Sequence, residues 1–280
     1  MEHNYLSLKE IQQIELEMLK AFADFCEKNG LRYYITGGSM LGAVRHKGFI
    51  PWDDDIDINM PRPDYDRLLK LTHNKGIGKY RVGLPKGSFA SFVKVLDPDT
   101  ALLFEFEGID SSADKSYTGS IFMDICPLEG QPDSDLLFKL HALKIHILVG
   151  MRGALHYGAI GKSMKKRLER LALIPFAKLL GDKRLKRMIN RTVHKYDFDK
   201  STYIGATLTH NRFKDRLLRK EYEPSCYVEF ADTKVRTTAM YKKHLEILYG
   251  PDYMTPPPDG NKNSGHTIKA WRLPEDNKQN

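Results

Sequence analysis

Four aspartates fall within five positions in residues 48–58, Gly-Phe-Ile-Pro-Trp-Asp-Asp-Asp-Ile-Asp-Ile. Asp55 and Asp57 are two residues apart on a predicted strand, and residues with that spacing project from the same face of a sheet. Two converging carboxylates with no neighbouring arginine are typical ligands of Mg²⁺. The segment therefore predicts a divalent-cation site, in which Asp53 shares the same spacing and is a further candidate ligand. The alternative is a solvated acidic turn.

A glycine turn precedes this acidic segment. Gly37-Gly38-Ser39 follows a predicted strand at residues 31–36 and opens a predicted helical turn that runs to Arg45. Backbone amides at a helix N-terminus bind phosphate, and glycine allows the ligand to approach the backbone closely. An ordinary turn is the alternative for this motif alone. Together with the carboxylates it predicts phosphoryl or nucleotidyl transfer, in which catalysis is chiefly positioning and charge neutralisation.

A lone acid, Asp124, lies inside an apolar predicted strand at residues 120–125. A buried carboxylate needs a partner, and a metal ion would provide one. Asp124 is therefore the candidate third carboxylate, on a strand beside Asp57. The alternative is a structural aspartate that is satisfied by hydrogen bonds.

The elements around these residues predict an α+β fold. Ser7 and Glu10 form a capping-box pattern ahead of a helix with apolar residues at helical spacing. Further strands are predicted at residues 56–60, 80–84, 91–96, 102–106 and 120–125, with a β-hairpin at 226–237. Helices are predicted from Pro63 onward, through most of 133–195, and at 239–249. We expect one domain over residues 1–280, with residues 133–200 as a helical, basic insertion.

Composition excludes several classes of protein. The 280 residues are 41% hydrophobic and 29% charged, which is ordinary globular usage and argues against general disorder. No uncharged apolar run approaches the length of about 18–20 residues that crosses a bilayer. The first residues also lack the pattern of a secretory signal. We therefore expect a soluble cytoplasmic protein.

Positive charge is concentrated in residues 162–195, which hold twelve Lys or Arg and two acids, although the whole chain has a formal net charge of only +8. Apolar residues alternate with these charges. Basic amphipathic helices lie on anionic membrane surfaces, and this segment predicts such a peripheral contact at the inner face of the membrane. A solvated helix face is the alternative. Nucleic acid is not expected, because no nucleic-acid-binding motif accompanies the charge.

These motifs carry a family resemblance. Gly37-Gly38-Ser39, Asp55-Ile-Asp57 and the isolated Asp124 resemble the signature of the nucleotidyltransferase-fold superfamily. Residues 38–58 more closely resemble the LicD family of phosphocholine transferases, which includes the fukutin-related branch. Residues 92–100, 123–128 and 248–257 are similar to further family motifs, with Pro251 as a departure in the last. The basic middle of the chain has no sharp counterpart.

The resemblance implies a nucleotidyltransferase-like mixed sheet and a Mg²⁺-dependent phosphotransferase, with Mn²⁺ as the alternative ion. The donor would be CDP-choline or a similar CDP-alcohol. The acceptor would be a sugar hydroxyl of a cell-surface glycan, of lipopolysaccharide or teichoic acid type, either free or lipid-linked. An enzyme that attaches NMP to its target and a non-catalytic adaptor are the alternatives.

The resemblance also implies roles for individual residues. Metal ligands would be Asp53, Asp55, Asp57 and Asp124, of which Asp55, Asp57 and Asp124 are the catalytic set. Substrate phosphate would be bound by Gly37, Gly38, Ser39, Arg45, His46 and Lys94. Asp124 would also take the proton of the attacking hydroxyl.

Overall fold

The computed structural model describes residues 4–84, 91–105, 117–158, 164–209, 211–258 and 267–274. In chain order its elements are α1 (Leu8–Lys28), β1 (Tyr34–Ile35), α2 (Gly37–His46), β2 (Asp57–Pro61), α3 (Arg62–Thr72), β3 (Arg81–Gly83), β4 (Lys94–Leu96), β5 (Thr100–Glu105), β6 (Tyr117–Gly119), β7 (Phe122–Gln131), α4 (Asp135–Tyr157), α5 (Met164–Val193), β8 (Tyr203–Gly205), β9 (Leu217–Leu218), α6 (Arg219–Tyr222), β10 (Ser225–Phe230), β11 (Thr233–Thr238), α7 (Tyr241–Tyr249) and β12 (Thr267–Arg272). The predicted α+β class is confirmed. Residue 106, the end of one predicted strand, and residues 159–163 of the predicted helical stretch lie outside the described residues.

α1 forms as its capping box predicts. The Ser7 side chain accepts the Glu10 amide, and the Glu10 carboxylate accepts the Ser7 amide in return. The apolar face of the helix is buried in the main core, where Met18 and Phe22 have no exposed surface. The helix thus supplies one wall of the core and, as shown below, one wall of the acidic site.

The main sheet has the order β1-β2-β7-β4-β3, with β8 and β9 continuing from β7. It is mixed, because β2 and β7 run parallel and the other pairs are antiparallel. Three observed strands, β1, β3 and β4, are shorter than the predicted segments, whereas β7 is longer and extends to Gln131. Its far half pairs with β8, a partner more than seventy residues away in sequence that local patterning does not reveal.

α4 and α5 pack against each other and confirm the helical prediction for residues 133–195. Ile145 and Leu148 of α4 share a buried cluster with Leu185, Ile189 and Val193 of α5. Two features shape α5: Pro175 lies inside it, and Gly181 interrupts it with a non-helical φ of 71°. Across the described parts of the chain, no helix is both long enough and apolar enough to span a membrane. The division into one domain with an insertion stays a prediction.

Candidate active site

The sheet register places three ionisable side chains in one row. Asp57 on β2 is the partner of Asp124 on β7, and Asp124 is the partner of Lys94 on β4. Directly opposed residues on neighbouring strands project from the same face of a sheet. The structure therefore places Asp57 and Asp124 side by side on adjacent strands, as the sequence predicts, with Lys94 next in the row.

Lys94 is the partner of Asp124. Its ammonium donates to a carboxylate oxygen of Asp124, and both side chains are mostly buried. The same ammonium lies 3.4 Å from the centre of the Phe122 ring, a cation–π position. The sequence argument gave Asp124 a metal partner and directed Lys94 towards substrate phosphate. In the structure the two side chains form an ion pair. The roles of Asp124 towards a metal ion and of Lys94 towards phosphate stay predictions.

The glycine turn packs directly against the aspartates. Gly37 has a φ of 55°, and a Cβ there would lie 3.0 Å from Oδ2 of Asp57; a Cβ on Gly38 would lie 2.7 Å from Oδ2 of Asp53. A side chain at either position would therefore push on a carboxylate. Ser39 fixes the start of β2, because its Oγ accepts the Asp57 amide at 2.8 Å. All three residues hold the acidic segment in place, whatever they also do for a ligand.

Asp55 does not lie on the strand that the sequence predicts for it. β2 begins at Asp57, and residues 51–56 form a turn and an irregular approach to it. Gln12 of α1 clamps this turn by donating from Nε2 to the carbonyl of Asp53 at 2.8 Å. The predicted strand position of Asp55 was therefore wrong, because an irregular approach held by Gln12 precedes β2. The two carboxylates still lie near each other, since, after burial, the charge of Asp55 is the one that most raises the pKa of Asp57.

The turn brings a different set of carboxylates together. Among the described residues, oxygens of Asp53, Asp54 and Asp55 lie within 4.8 Å of one another, close enough to share one cation. Asp54 is buried and was not in the predicted ligand set. Asp57 and Asp124 lie outside this group, although their charges still act on it. The acidic site thus has two parts: the turn carboxylates and the strand pair.

Glu15 of α1 is a further acid that sequence reasoning missed. It is 1% exposed, and its Oε2 has no hydrogen-bond partner among the described residues. Burial, followed by the charges of Asp55, Asp54, Asp53 and Asp124, raises its pKa well above the usual value. A signal was available in the sequence. Glu15 occupies the apolar face of an amphipathic helix, where a carboxylate has no reason to be unless the fold uses it.

The pKa of Asp57 is also raised well above its usual value. Burial is the main cause, and the charges of Asp55, Asp124 and Asp53 add to it, whereas Lys94 opposes them. A carboxylate crowded by others in this way favours either a proton or a cation. The site therefore has the electrostatics of a cation-binding centre.

Arg45 and His46 lie at the other end of α2. Arg45 donates from Nε to Nε2 of His46 at 2.9 Å and from Nη1 to the carbonyl of Tyr253 at 3.0 Å. The first bond requires an unprotonated Nε2, and burial together with the Arg45 charge lowers the pKa of His46. In the structure His46 is thus a neutral acceptor that orients Arg45, and only Arg45 presents a cation.

Tyr249 links this end to the acidic site. Burial of its hydroxyl raises its pKa, and the charges of Asp57, Asp53 and Asp55 raise it further, whereas Arg45 lowers it. Its side chain remains 48% exposed. The motif at residues 248–257 therefore contributes an aromatic side chain within electrostatic range of the aspartates, which the sequence analysis did not include among the site residues.

Comparison with known proteins shows what this chain is similar to. Residues 30–95 match the model described as LicD/FKTN/FKRP, nucleotidyltransferase domain. The lipopolysaccharide cholinephosphotransferase LicD of Haemophilus influenzae is 28% identical over 271 residues, which cover 96% of this chain and 99% of that protein. The resemblance to the LicD family is thus confirmed over this segment, and similarity to the LicD transferase extends along nearly the whole chain. The observed α+β architecture is accordingly of the nucleotidyltransferase type, and the chain is a phosphotransferase.

A second LicD-family relative matches only locally. The human ribitol 5-phosphate transferase FKRP is 53% identical over 45 residues, which are 16% of this chain and 9% of that protein. The mouse protein matches equally. Such high identity over so short a segment indicates that the similarity to FKRP is confined to one part of the LicD fold.

Proposed function

We propose that this protein transfers phosphocholine, or a similar phospho-alcohol, from a CDP-linked donor to a sugar hydroxyl of a lipopolysaccharide-type glycan, in a Mg²⁺-dependent reaction. The relative matched along nearly the whole chain is named a lipopolysaccharide cholinephosphotransferase, which favours choline and this acceptor class. The FKRP relatives are named ribitol 5-phosphate transferases, so ribitol is the alternative alcohol. The observation that carries the proposal is the row of Asp57, Asp124 and Lys94 beside the turn carboxylates.

The residues present fit a divalent cation. Oxygen atoms of Asp53, Asp54 and Asp55 are close enough to share one ion, and Asp57 and Asp124 lie beside them. Hard carboxylate oxygens are the donors that Mg²⁺ prefers, and they also suit Mn²⁺. The unpartnered Oε2 of Glu15 adds a buried acceptor that no side-chain donor among the described residues satisfies. A bound ion would neutralise the charge of the donor diphosphate.

The remaining steps belong to side chains of this chain. The acceptor hydroxyl attacks the phosphorus that carries the alcohol, a new P–O bond forms, and the bond to CMP breaks. In this proposal Asp124 takes the hydroxyl proton. Protonation of Asp124 weakens its ion pair with Lys94, and the ammonium then faces the departing CMP phosphate. Amides at the start of α2, at Gly37 and Gly38, hold the donor phosphate.

The first experiment follows thermal unfolding with Mg²⁺ and one nucleotide at a time: CDP-choline, CDP-ribitol, CDP-glycerol, CTP, ATP or UTP. A ligand at about a hundred times its dissociation constant stabilises the folded state by roughly 2.7 kcal/mol. For a domain of this size, the midpoint should rise by about 5–10 °C. We expect that rise with CDP-choline and Mg²⁺ together. A rise with nucleoside triphosphates alone would replace the proposal with nucleotidyl transfer.

Asp57→Asn tests the catalytic assignment. CMP release from CDP-choline in the presence of a glycan acceptor should fall by at least about a hundredfold, because a carboxylate that acts on the developing charge is lost. Asp24→Asn is the matched control, since Asp24 is an exposed aspartate on α1 paired with Lys28. Activity of Asp57→Asn within tenfold of the wild type would contradict the assignment.

A further inference from the structure

A stripe of exposed apolar side chains runs along α4. Leu136, Leu140, Leu143 and Ile147, spaced four, three and four residues apart, occupy one face of the helix, and Leu136 is 66% exposed. The opposite face is buried and includes Ile145 and Leu148. The exposed residues are here called the α4 stripe. They have no role in the core of the helical hairpin that α4 and α5 form.

α5 carries a second stripe before its interruption at Gly181. Met164, Leu168, Leu171 and Leu179 lie on one helix face, and Leu179 is 80% exposed. We call these residues the α5 stripe. Phe176 nearby is also 59% exposed. Single exposed apolar residues are ordinary on a protein surface, but two stripes on neighbouring helices indicate an interaction surface.

Basic residues flank both stripes. Lys139 and Lys144 lie on either side of the α4 stripe, and Arg167 and Lys178 lie beside the α5 stripe; all four are exposed. Few acids balance them, because Glu169 and Asp182 are the only ones in residues 162–195. The charge of Asp182 is already paired within the two helices, since its Oδ1 contacts Arg152 at 2.8 Å and His156 at 2.9 Å. Each stripe is therefore an apolar helix face bordered by cations.

We propose that the α4 and α5 stripes dock this protein on an anionic lipid bilayer, with both helices lying in the interface and the basic residues contacting the headgroups. Apolar side chains bordered by Lys and Arg suit the boundary between acyl chains and anionic headgroups. A second copy of the chain fits less well, because the same face would meet its own positive charge. The proposal does not depend on the proposed function.

The test is co-sedimentation of the full chain with vesicles of phosphatidylcholine alone or mixed with phosphatidylglycerol, at low and high salt. We expect binding to the anionic vesicles, weaker binding at high salt, and little binding to the neutral ones. Leu140→Gln/Leu179→Gln, with one change in each stripe, should weaken binding by at least about tenfold. Lys139→Glu/Lys144→Glu/Lys178→Glu should weaken it by at least about a hundredfold, since each basic residue near the surface contributes about fivefold.

Matched variants separate this surface from general effects. Leu71→Gln/Met254→Gln replaces two exposed apolar residues elsewhere, and Lys70→Glu/Lys220→Glu/Lys242→Glu makes the same change in net charge at exposed sites outside the hairpin. Both controls should bind anionic vesicles within about threefold of the wild type. Unfolding midpoints within about 2 °C of the wild type will show that the stripe variants remain folded.

Three outcomes would overturn the proposal. The first is a wild-type protein that stays in the supernatant with every vesicle. The second is equal loss of binding in the stripe variants and their controls. The third is a dimer in solution that Leu140→Gln/Leu179→Gln abolishes while vesicle binding is unchanged, which would assign the stripes to a second copy.

Discussion

The acidic site and the α4–α5 hairpin treat charge in opposite ways. In the site, carboxylates from β2, β7 and α1 are turned inward, and Lys94 is paired with Asp124 among them. In the hairpin, most of the described Lys and Arg side chains are exposed beside exposed leucines, and the buried Arg152 is paired with Asp182. The buried carboxylates must be positioned and stabilised by specific neighbours, whereas the exposed Lys and Arg side chains are stabilised by solvent. Single substitutions should therefore affect the two regions very differently.

Lys94→Met tests most directly how the buried carboxylates of the acidic site depend on their neighbours. Without the ammonium, Asp124 has lost its ion-pair partner and remains beside Asp57, and breaking a largely buried ion pair costs about 3 kcal/mol. Denaturant unfolding without Mg²⁺ should show this loss, and added Mg²⁺ should restore more stability to the variant than to the wild type. Lys28→Met is the control, because its pair with Asp24 is exposed and should contribute below about 1 kcal/mol. Equal losses in the two variants would remove the distinction between the regions.

His141 of α4 extends the comparison to pH. Burial, with Lys195 and Lys144 nearby, lowers its pKa from 6.5 to about 4. The folded protein keeps this imidazole neutral while the unfolded chain takes up a proton below pH 6.5, so stability falls as the pH drops from 6.5 towards 4. Allowing for solvent screening of the lysines, we expect a loss of about 2 kcal/mol.

His141→Phe should abolish the loss of stability that protonation of His141 causes at acidic pH. The loss is measured as the change in unfolding free energy between pH 7 and pH 4.5. The ring contact with Tyr196 would be kept, because His141 already packs edge-on against it at 5.1 Å. His73→Gln is the control, since His73 is exposed and lies outside the hairpin. If His141→Phe loses as much unfolding free energy at pH 4.5 as the wild type, the buried imidazole of His141 is not the cause of the loss.

Gly37→Ala and Gly30→Ala form a matched pair with smaller expected effects. Both glycines have φ near 60°, so each alanine incurs the same backbone strain of about 1 kcal/mol. The Cβ of Gly30→Ala meets nothing within 4 Å, whereas that of Gly37→Ala meets the Asp57 carboxylate. We expect similar unfolding free energies, within about 1 kcal/mol, but a tenfold or greater loss of activity in Gly37→Ala alone. Equal activities would mean that the turn does not position Asp57.

Much of the fold could be predicted because its signals are local. The capping box of α1, the helical periodicity of the hairpin and the alternation around Asp57 each lie within a few residues. The candidate carboxylates Asp57 and Asp124 were identified for the same reason. The strand ends were less accurate, because they depend on which partner continues the ladder, as β8 does for β7.

The rest of the site depends on contacts between distant segments. Pairing of Lys94 with Asp124 follows from the β4–β7 register, which local sequence does not encode. The grouping of Asp54 with its neighbours requires a turn that Gln12 holds from α1. Glu15 alone carried a local signal, as an acid on an apolar helix face. Its depth within the site is visible only once α1 is packed against the sheet.

Gln12 and Glu15 show that the candidate active site includes residues of α1. The segment matched by the family model starts at residue 30, after α1 has ended. A fragment trimmed to that match would retain the glycine turn and Asp53, Asp54, Asp55 and Asp57, yet it would lack Asp124, the side-chain amide of Gln12 that holds the turn and the carboxyl group of Glu15. The smallest fragment that keeps the candidate active site intact is therefore longer than the segment that matches the family model. It has to include α1.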